Sequence, residues 1–121
     1  GRHTKGVGTV LYASPEQLSG DACGPETDMF SLGIIVCELF SSFASGMDRV
    51  ITLSAVREGK IPDSVAKNHT SVSEVVSLCL SGDPNLRPTA QDALVSLSPL
   101  VEQATLPPLL QLADRTIADL R

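Results

Sequence analysis

The stretch Met29-Phe30-Ser31-Leu32-Gly33-Ile34-Ile35-Val36-Cys37-Glu38-Leu39-Phe40 decides the fold. Its apolar residues surround most of a helical circumference, so a helix formed here needs packing partners on every side. Either Thr27 or Asp28 can cap its start. Ser31, Gly33 and Glu38 interrupt the run, which falls well short of the roughly 20 apolar residues that span a bilayer. It reads as the central helix of a core and not as a membrane segment.

Outward toward the C-terminus, Met47, Val50, Ile51 and Val56 have the spacing of a second helix, ended by Gly59 and Pro62. Asp48, Arg49, Arg57 and Glu58 form its charged face. Ser71-x-x-Glu74 is a capping box, and Val72, Val75, Val76, Cys79 and Leu80 behind it predict a third helix closed by Gly82 and Pro84. Pro88 introduces a fourth, with Thr89 as cap and Ala90, Ala93, Leu94 and Leu97 on one stripe. After Ser98-Pro99 the pattern degrades, Pro107-Pro108 breaks it, and Leu109, Ala113, Ile117 and Leu120 mark a final amphipathic helix. Toward the N-terminus, Gly6, Gly8, Pro15, Gly20, Gly24 and Pro25 punctuate residues 1–25 too densely for a long element. Only Pro15-Glu16-Gln17-Leu18 predicts a helical turn, with Ser14 as cap and Pro15 at the first helical position. No segment alternates with period two for long and no internal repeat is visible, so the fold class is all-α with a looped N-terminal portion.

Composition agrees. Of 121 residues 42% are hydrophobic and 19% charged, which excludes an acidic disordered tail or a low-complexity chain. A net charge of −5 gives no global reason to bind nucleic acid or an anionic membrane. Cys23, Cys37 and Cys79 are far apart and read as free thiols of a reducing compartment. His3 and His69 stand apart from each other and from the thiols, so no zinc spacing exists. With Gly1 in place of an initiator Met and no apolar signal region, the chain is expected to start at a fragment boundary.

The chemistry-bearing residues gather early: a Gly-rich loop with the hydroxyls Thr4, Thr9 and Tyr12, then Ser14-Pro15-Glu16, then Asp28 opening a buried helix. A buried carboxylate must cap or hold backbone donors, and Arg87, set between Leu86 and Pro88, needs a carboxylate if it is buried. Gly6-x-Gly8 has no strand before it and no helix after it, so it is not a phosphate cradle.

Gly8-Thr9-Val10-Leu11-Tyr12-Ala13-Ser14-Pro15-Glu16-Gln17 resembles the end of a eukaryotic protein-kinase activation segment, with Ser-Pro-Glu for Ala-Pro-Glu. Asp28-Met29-Phe30-Ser31-Leu32-Gly33 resembles the start of helix F of that fold, and Asp83-Pro84-Asn85-Leu86-Arg87-Pro88 the loop before its last helix. The three occur in order at fitting distances, and the resemblance covers about residues 1–97. Within the kinases, His3-Thr4, Val7-Gly8-Thr9, Leu11-Tyr12 and Ser14 to Leu18 resemble the family that phosphorylates the alpha subunit of translation initiation factor 2. So do Phe43 to Arg49, Leu53, Arg57-Glu58-Gly59 and Ile61-Pro62, which are similar to its helix G, the haem-regulated member being the nearest look-alike. Ala22-Cys23 departs from relatives that often carry a tyrosine there, and the tail after Leu97 matches nothing.

The resemblance implies a role for each residue, beside which an ordinary reading stands. Thr4 would be the activating phosphorylation site, or a solvated loop hydroxyl. Thr9 would bond the catalytic aspartate and shape the substrate pocket, or be a turn residue. Tyr12 would pack. Glu16 and Arg87 would form a buried bidentate ion pair, or be independent surface charges. Asp28 would anchor the catalytic loop, or cap its helix. Ser45, Met47, Asp48 and Arg49 would dock a folded substrate, or belong to a solvated helix face.

The same resemblance implies 1–20 as the end of the activation segment, 21–97 as helices F to I of the C-terminal lobe, and 98–121 as a tail with an amphipathic helix. The parent protein is expected to be a cytoplasmic Ser/Thr kinase that uses ATP and Mg2+ on a serine of the initiation factor's alpha subunit, controlling translation under stress. This chain is expected to contain no catalytic residue, to bind no cofactor or metal and to be inactive alone. Its expected partners are the missing upstream part of the kinase domain and the alpha subunit, with no nucleic acid and no membrane; self-association through the tail stays open. A pseudokinase or a non-catalytic helical docking module is the alternative.

Overall fold

The computed structural model describes residues 10–21 and 23–99, with Arg115 beyond them. Residues 10–12 are helical, and the helix that follows them, α1, is Pro15–Leu18. Pro15 opens it because the first helical position needs no N–H. The Ser14 hydroxyl accepts from the Gln17 N–H at 3.1 Å and the Gln17 side chain accepts from the Ser14 N–H at 2.9 Å, so Gln17 completes a box of which the sequence reading named only Ser14.

The central helix, α2, is Pro25–Leu39. It starts earlier than expected: Gly24 stands at the cap without a side-chain bond, and Thr27 and Asp28 lie inside the first turn. Pro25 sets that start, its ring holding φ ready for a helix. Thr27, freed from capping, turns its hydroxyl to Glu16 at 2.7 Å.

Helix α3 is Gly46–Arg57, capped by the Ser45 hydroxyl, which accepts from the Asp48 N–H at 3.0 Å. Gly59, at φ +90°, turns the chain away from it, a conformation an L side chain resists. A short α4, Asp63–Asn68, then runs through His69 into α5, Thr70–Cys79. The periodicity did not reveal α4, and the Ser71–Glu74 box is not formed. Because α4 and α5 nearly abut, with Val65 and Val72 wholly buried, packing fixes the start of α5 ahead of Ser71. A 3-10 turn, Pro84–Leu86, precedes α6 over 90–99, where Thr89 and Asp92 cap reciprocally at 3.1 and 3.4 Å.

The described residues contain helices and turns and no strand, as the all-α reading expected. Helix α2 packs chiefly on α5 and also on α3. Phe30, Ile34, Cys37, Leu53, Val56, Val72 and Val76 make one core with Leu11 and Leu80. Met29, Val75, Cys79 and Ala93 make a second, smaller one. Wholly burying each side chain of the size of Ile34 or Leu53 contributes about 1.5–3 kcal/mol. Among the described residues the partners that α2 needs all round are present on one side only: Leu32 and Ile35 are exposed and Leu39 is 74% exposed. No described helix is long and apolar enough to cross a membrane. Thr4, Thr9 and the helix expected through Leu109, Ala113, Ile117 and Leu120 lie outside the described residues.

Candidate functional site

Two loops distant in sequence meet at Glu16 on α1 and Arg87 just after the 3-10 turn. Arg87 Nη1 donates to Glu16 Oε2 at 2.6 Å and Nη2 to Oε1 at 3.0 Å, a parallel two-pronged pair. Arg87 Nε donates to the Ser81 carbonyl at 2.9 Å and Nη1 also to the Glu26 carbonyl at 2.8 Å. The hydrogen bonds from Arg87 hold the Glu16 carboxyl down at about 2; burial works against them and the Thr27 hydroxyl works with them. The pair fastens Ser14-Pro15-Glu16 to residues 81–87 and to the first turn of α2.

Above this fastener lies the segment Leu11-Tyr12-Ala13. Each of its carbonyls accepts a side-chain bond: Tyr12 from the Ser31 hydroxyl at 2.6 Å, Leu11 from Arg57 Nη1 at 3.1 Å and Ala13 from that same nitrogen. The Tyr12 hydroxyl donates to Glu38 Oε1 and accepts from Arg49 Nη2 at 2.6 Å, while Arg49 Nε donates to Glu38 Oε2 at 2.6 Å. The three side chains close a ring. The bond to Glu38 raises the Tyr12 pKa, and the Arg49 guanidinium lowers that of Glu38, so the ring favours a neutral phenol beside a charged pair. Packing describes the ring of Tyr12; its hydroxyl is a polar hub that sequence reading missed.

The four residues expected to dock a substrate separate on inspection. Ser45 and Asp48 are occupied in shaping the start of α3, since the Asp48 carboxylate accepts from the Ala44 N–H at 2.8 Å. Arg49 is occupied with Glu38 and Tyr12. Met47, 70% exposed, is free of such ties, and Ile51 one turn on is exposed beside it. Asp28 is exposed on the wall of a cavity of about 370 Å³ shared with Met29, Asn85 and Thr89. Arg57 is not the solvated charge that its place on a polar face implied: it is half-buried and turned inward.

Residues 1–97 match the family described as the protein kinase domain. The chain belongs to the protein kinase domain family. This kinase chain is 43% identical over 94 residues to eukaryotic translation initiation factor 2-alpha kinase 1 of Mus musculus, a match covering 78% of the chain and 15% of the mouse protein. It is 41% identical to eukaryotic translation initiation factor 2-alpha kinase 2 of Plasmodium berghei, covering 73% and 3%, and 43% identical to kinase 3 of Bos taurus, covering 74% and 8%. The kinase chain thus spans a small part of the length of each of these relatives. The resemblance carried by Gly8 to Gln17, Asp28 to Gly33 and Asp83 to Pro88 is borne out.

Besides Tyr12, sequence reading of this kinase-domain chain missed Glu38, Arg57 and the inward turn of both α3 arginines. One signal existed: Glu38 is the single charge in an otherwise apolar helical run, and such a residue needs a partner if it is buried.

Proposed function

We propose that the protein carrying this chain transfers the γ-phosphoryl of ATP, with Mg2+, to a serine of the alpha subunit of translation initiation factor 2, and so controls translation under stress in the cytoplasm. The observation that carries this reading is identity of 41–43% to initiation factor 2-alpha kinases of a mouse, a parasite and a cow across a stretch that includes α3. In that reading the chain contributes the activation loop, with Thr4 as its phosphorylation site and Thr9 at the substrate pocket, and a docking helix. Met47 makes the docking contact, while Ser45, Asp48 and Arg49 set the shape and seat of the helix. Asp28 anchors the catalytic loop. Among the described residues no three His, Cys, Asp or Glu gather into a group that could hold a metal ion.

Phosphorylation of the purified alpha subunit and of a short serine peptide by the full-length kinase tests the proposal. Met47→Asp should lower kcat/KM on the folded subunit about tenfold, the size of an interface hot spot, and leave the peptide unchanged. No phosphate on the subunit, or equal losses on both substrates, overturns it.

A further inference from the structure

Arg57 is the last residue of α3, where a cation is favoured by the helix dipole even when it points into water. It does not point there. One guanidinium nitrogen donates to the carbonyls of both Leu11 and Ala13, two positions apart, and the guanidinium carbon lies 5.2 Å from the centre of the Phe30 ring. Arg87 approaches that ring too, at 5.1 Å, so Phe30 serves two guanidinium groups at once. Among the described residues no carboxylate lies within ion-pair distance of Arg57. Burial lowers its pKa, and the charge of the neighbouring Glu58, which makes no ion pair with it, works against that shift. Among the described residues this long, entropically costly side chain makes its hydrogen bonds with backbone carbonyls alone.

Arg49 and Arg57 are eight residues apart on α3, about 12 Å at 1.5 Å per residue. From those two points they take hold of the Tyr12 hydroxyl and of the carbonyls on either side of it. We propose that Arg57 is a positioning residue for phosphoryl transfer, fixing the Leu11–Ala13 backbone, which begins two residues beyond Thr9 of the proposed substrate pocket, against the end of α3. The role rests on the kinase reading above. Arg57 would touch neither nucleotide nor acceptor serine; it would hold the segment that continues the chain from Thr9, and small misplacements of reacting groups are costly in rate.

The test uses the full-length kinase with Arg57→Met, which keeps the apolar stem, and Arg57→Lys, which keeps the charge. Arg57→Met should lower kcat about 10- to 100-fold on both the folded subunit and the short peptide, with KM for the subunit within about twofold, and Arg57→Lys should recover part of that loss. Hydrogen exchange should quicken in residues 10–14 and stay unchanged in α5. If Arg57→Met does not fold, Arg57→Lys decides by the same two readouts. Unchanged kcat, or exchange that rises equally in α5, overturns the proposal in favour of a merely structural arginine. If the wild-type kinase phosphorylates no serine substrate, the kinase reading has failed, and local against uniform exchange still decides whether Arg57 fixes this segment.

Discussion

Gly33 faces Cys79 so closely that a Cβ placed on Gly33 would stand 2.7 Å from the Cβ of Cys79. Here α2 and α5 approach each other closely. Cys79 cannot turn its Cβ aside, because that atom is fixed by the backbone, so the helices themselves must separate. Gly33→Ala should therefore destabilise by about 1–3 kcal/mol, despite the better helix propensity of alanine. Gly46→Ala, where nothing lies within 4 Å, should be neutral or slightly stabilising. Urea unfolding of the two variants checks the contrast; equal effects would remove the close approach as the cause.

Arg87 donates to Glu16, to Ser81 and to Glu26, so its removal strands a carboxylate and two carbonyls together. Arg87→Ala should cost about 3–5 kcal/mol, because the loss is that of an uncompensated, largely buried charge. Arg87→Lys should recover little of it, since a single ammonium cannot reproduce the two-pronged fork. Denaturant unfolding of the full-length protein measures both, and near-wild-type stability of the lysine variant would contradict the geometric argument.

Glu16 is held at about 2 in the folded protein, below the ordinary glutamate value of about 4.3. A lowered folded pKa gives stability that is complete above the unfolded value and is lost as the pH falls toward the folded one. The loss should run from about pH 4.3 down to about 2. Unfolding free energies of wild type and Glu16→Gln between about pH 7 and about pH 3 should converge as the pH falls. A gap that stays constant would show that the ionised carboxylate is not what Arg87 stabilises.

Cys23 is exposed, whereas Cys37 and Cys79 are buried, and burial raises both buried thiols, Cys79 up to about 11. Under native conditions at neutral pH one thiol should react quickly with an alkylating reagent and two should wait for unfolding. Cys23→Ser should abolish the fast phase, as mass-resolved labelling would reveal. Fast labelling at Cys37 or Cys79 would mean that α2 and α5 open readily.

The kinase resemblance made Glu16 and Arg87 legible as partners across 71 positions, although no spacing rule connects them. Tyr12, Glu38 and Arg49 were invisible as a ring because each is unremarkable alone and their meeting depends on where α3 lies against α2. The charged face assigned to α3 was correct as periodicity, but it carried no information on whether a long arginine would reach solvent or fold back onto carbonyls.

By itself the sequence determined what is settled within three or four residues. Ser14 with Pro15, and Thr89 before α6, start helices because the competing groups are chain neighbours. Gly59 likewise ends α3 locally, through the φ it adopts. Only the tertiary structure decided the rest. Packing of Val65 and Val72 moved the start of α5 past an available capping box, and contact with Cys79 made Gly33 a spacing requirement where it had looked like an interruption. The carbonyls of Leu11 and Ala13 drew Arg57 inward because unpaired backbone acceptors in a half-buried segment are costly, a demand that exists only once the segment has been laid against α2 and α3.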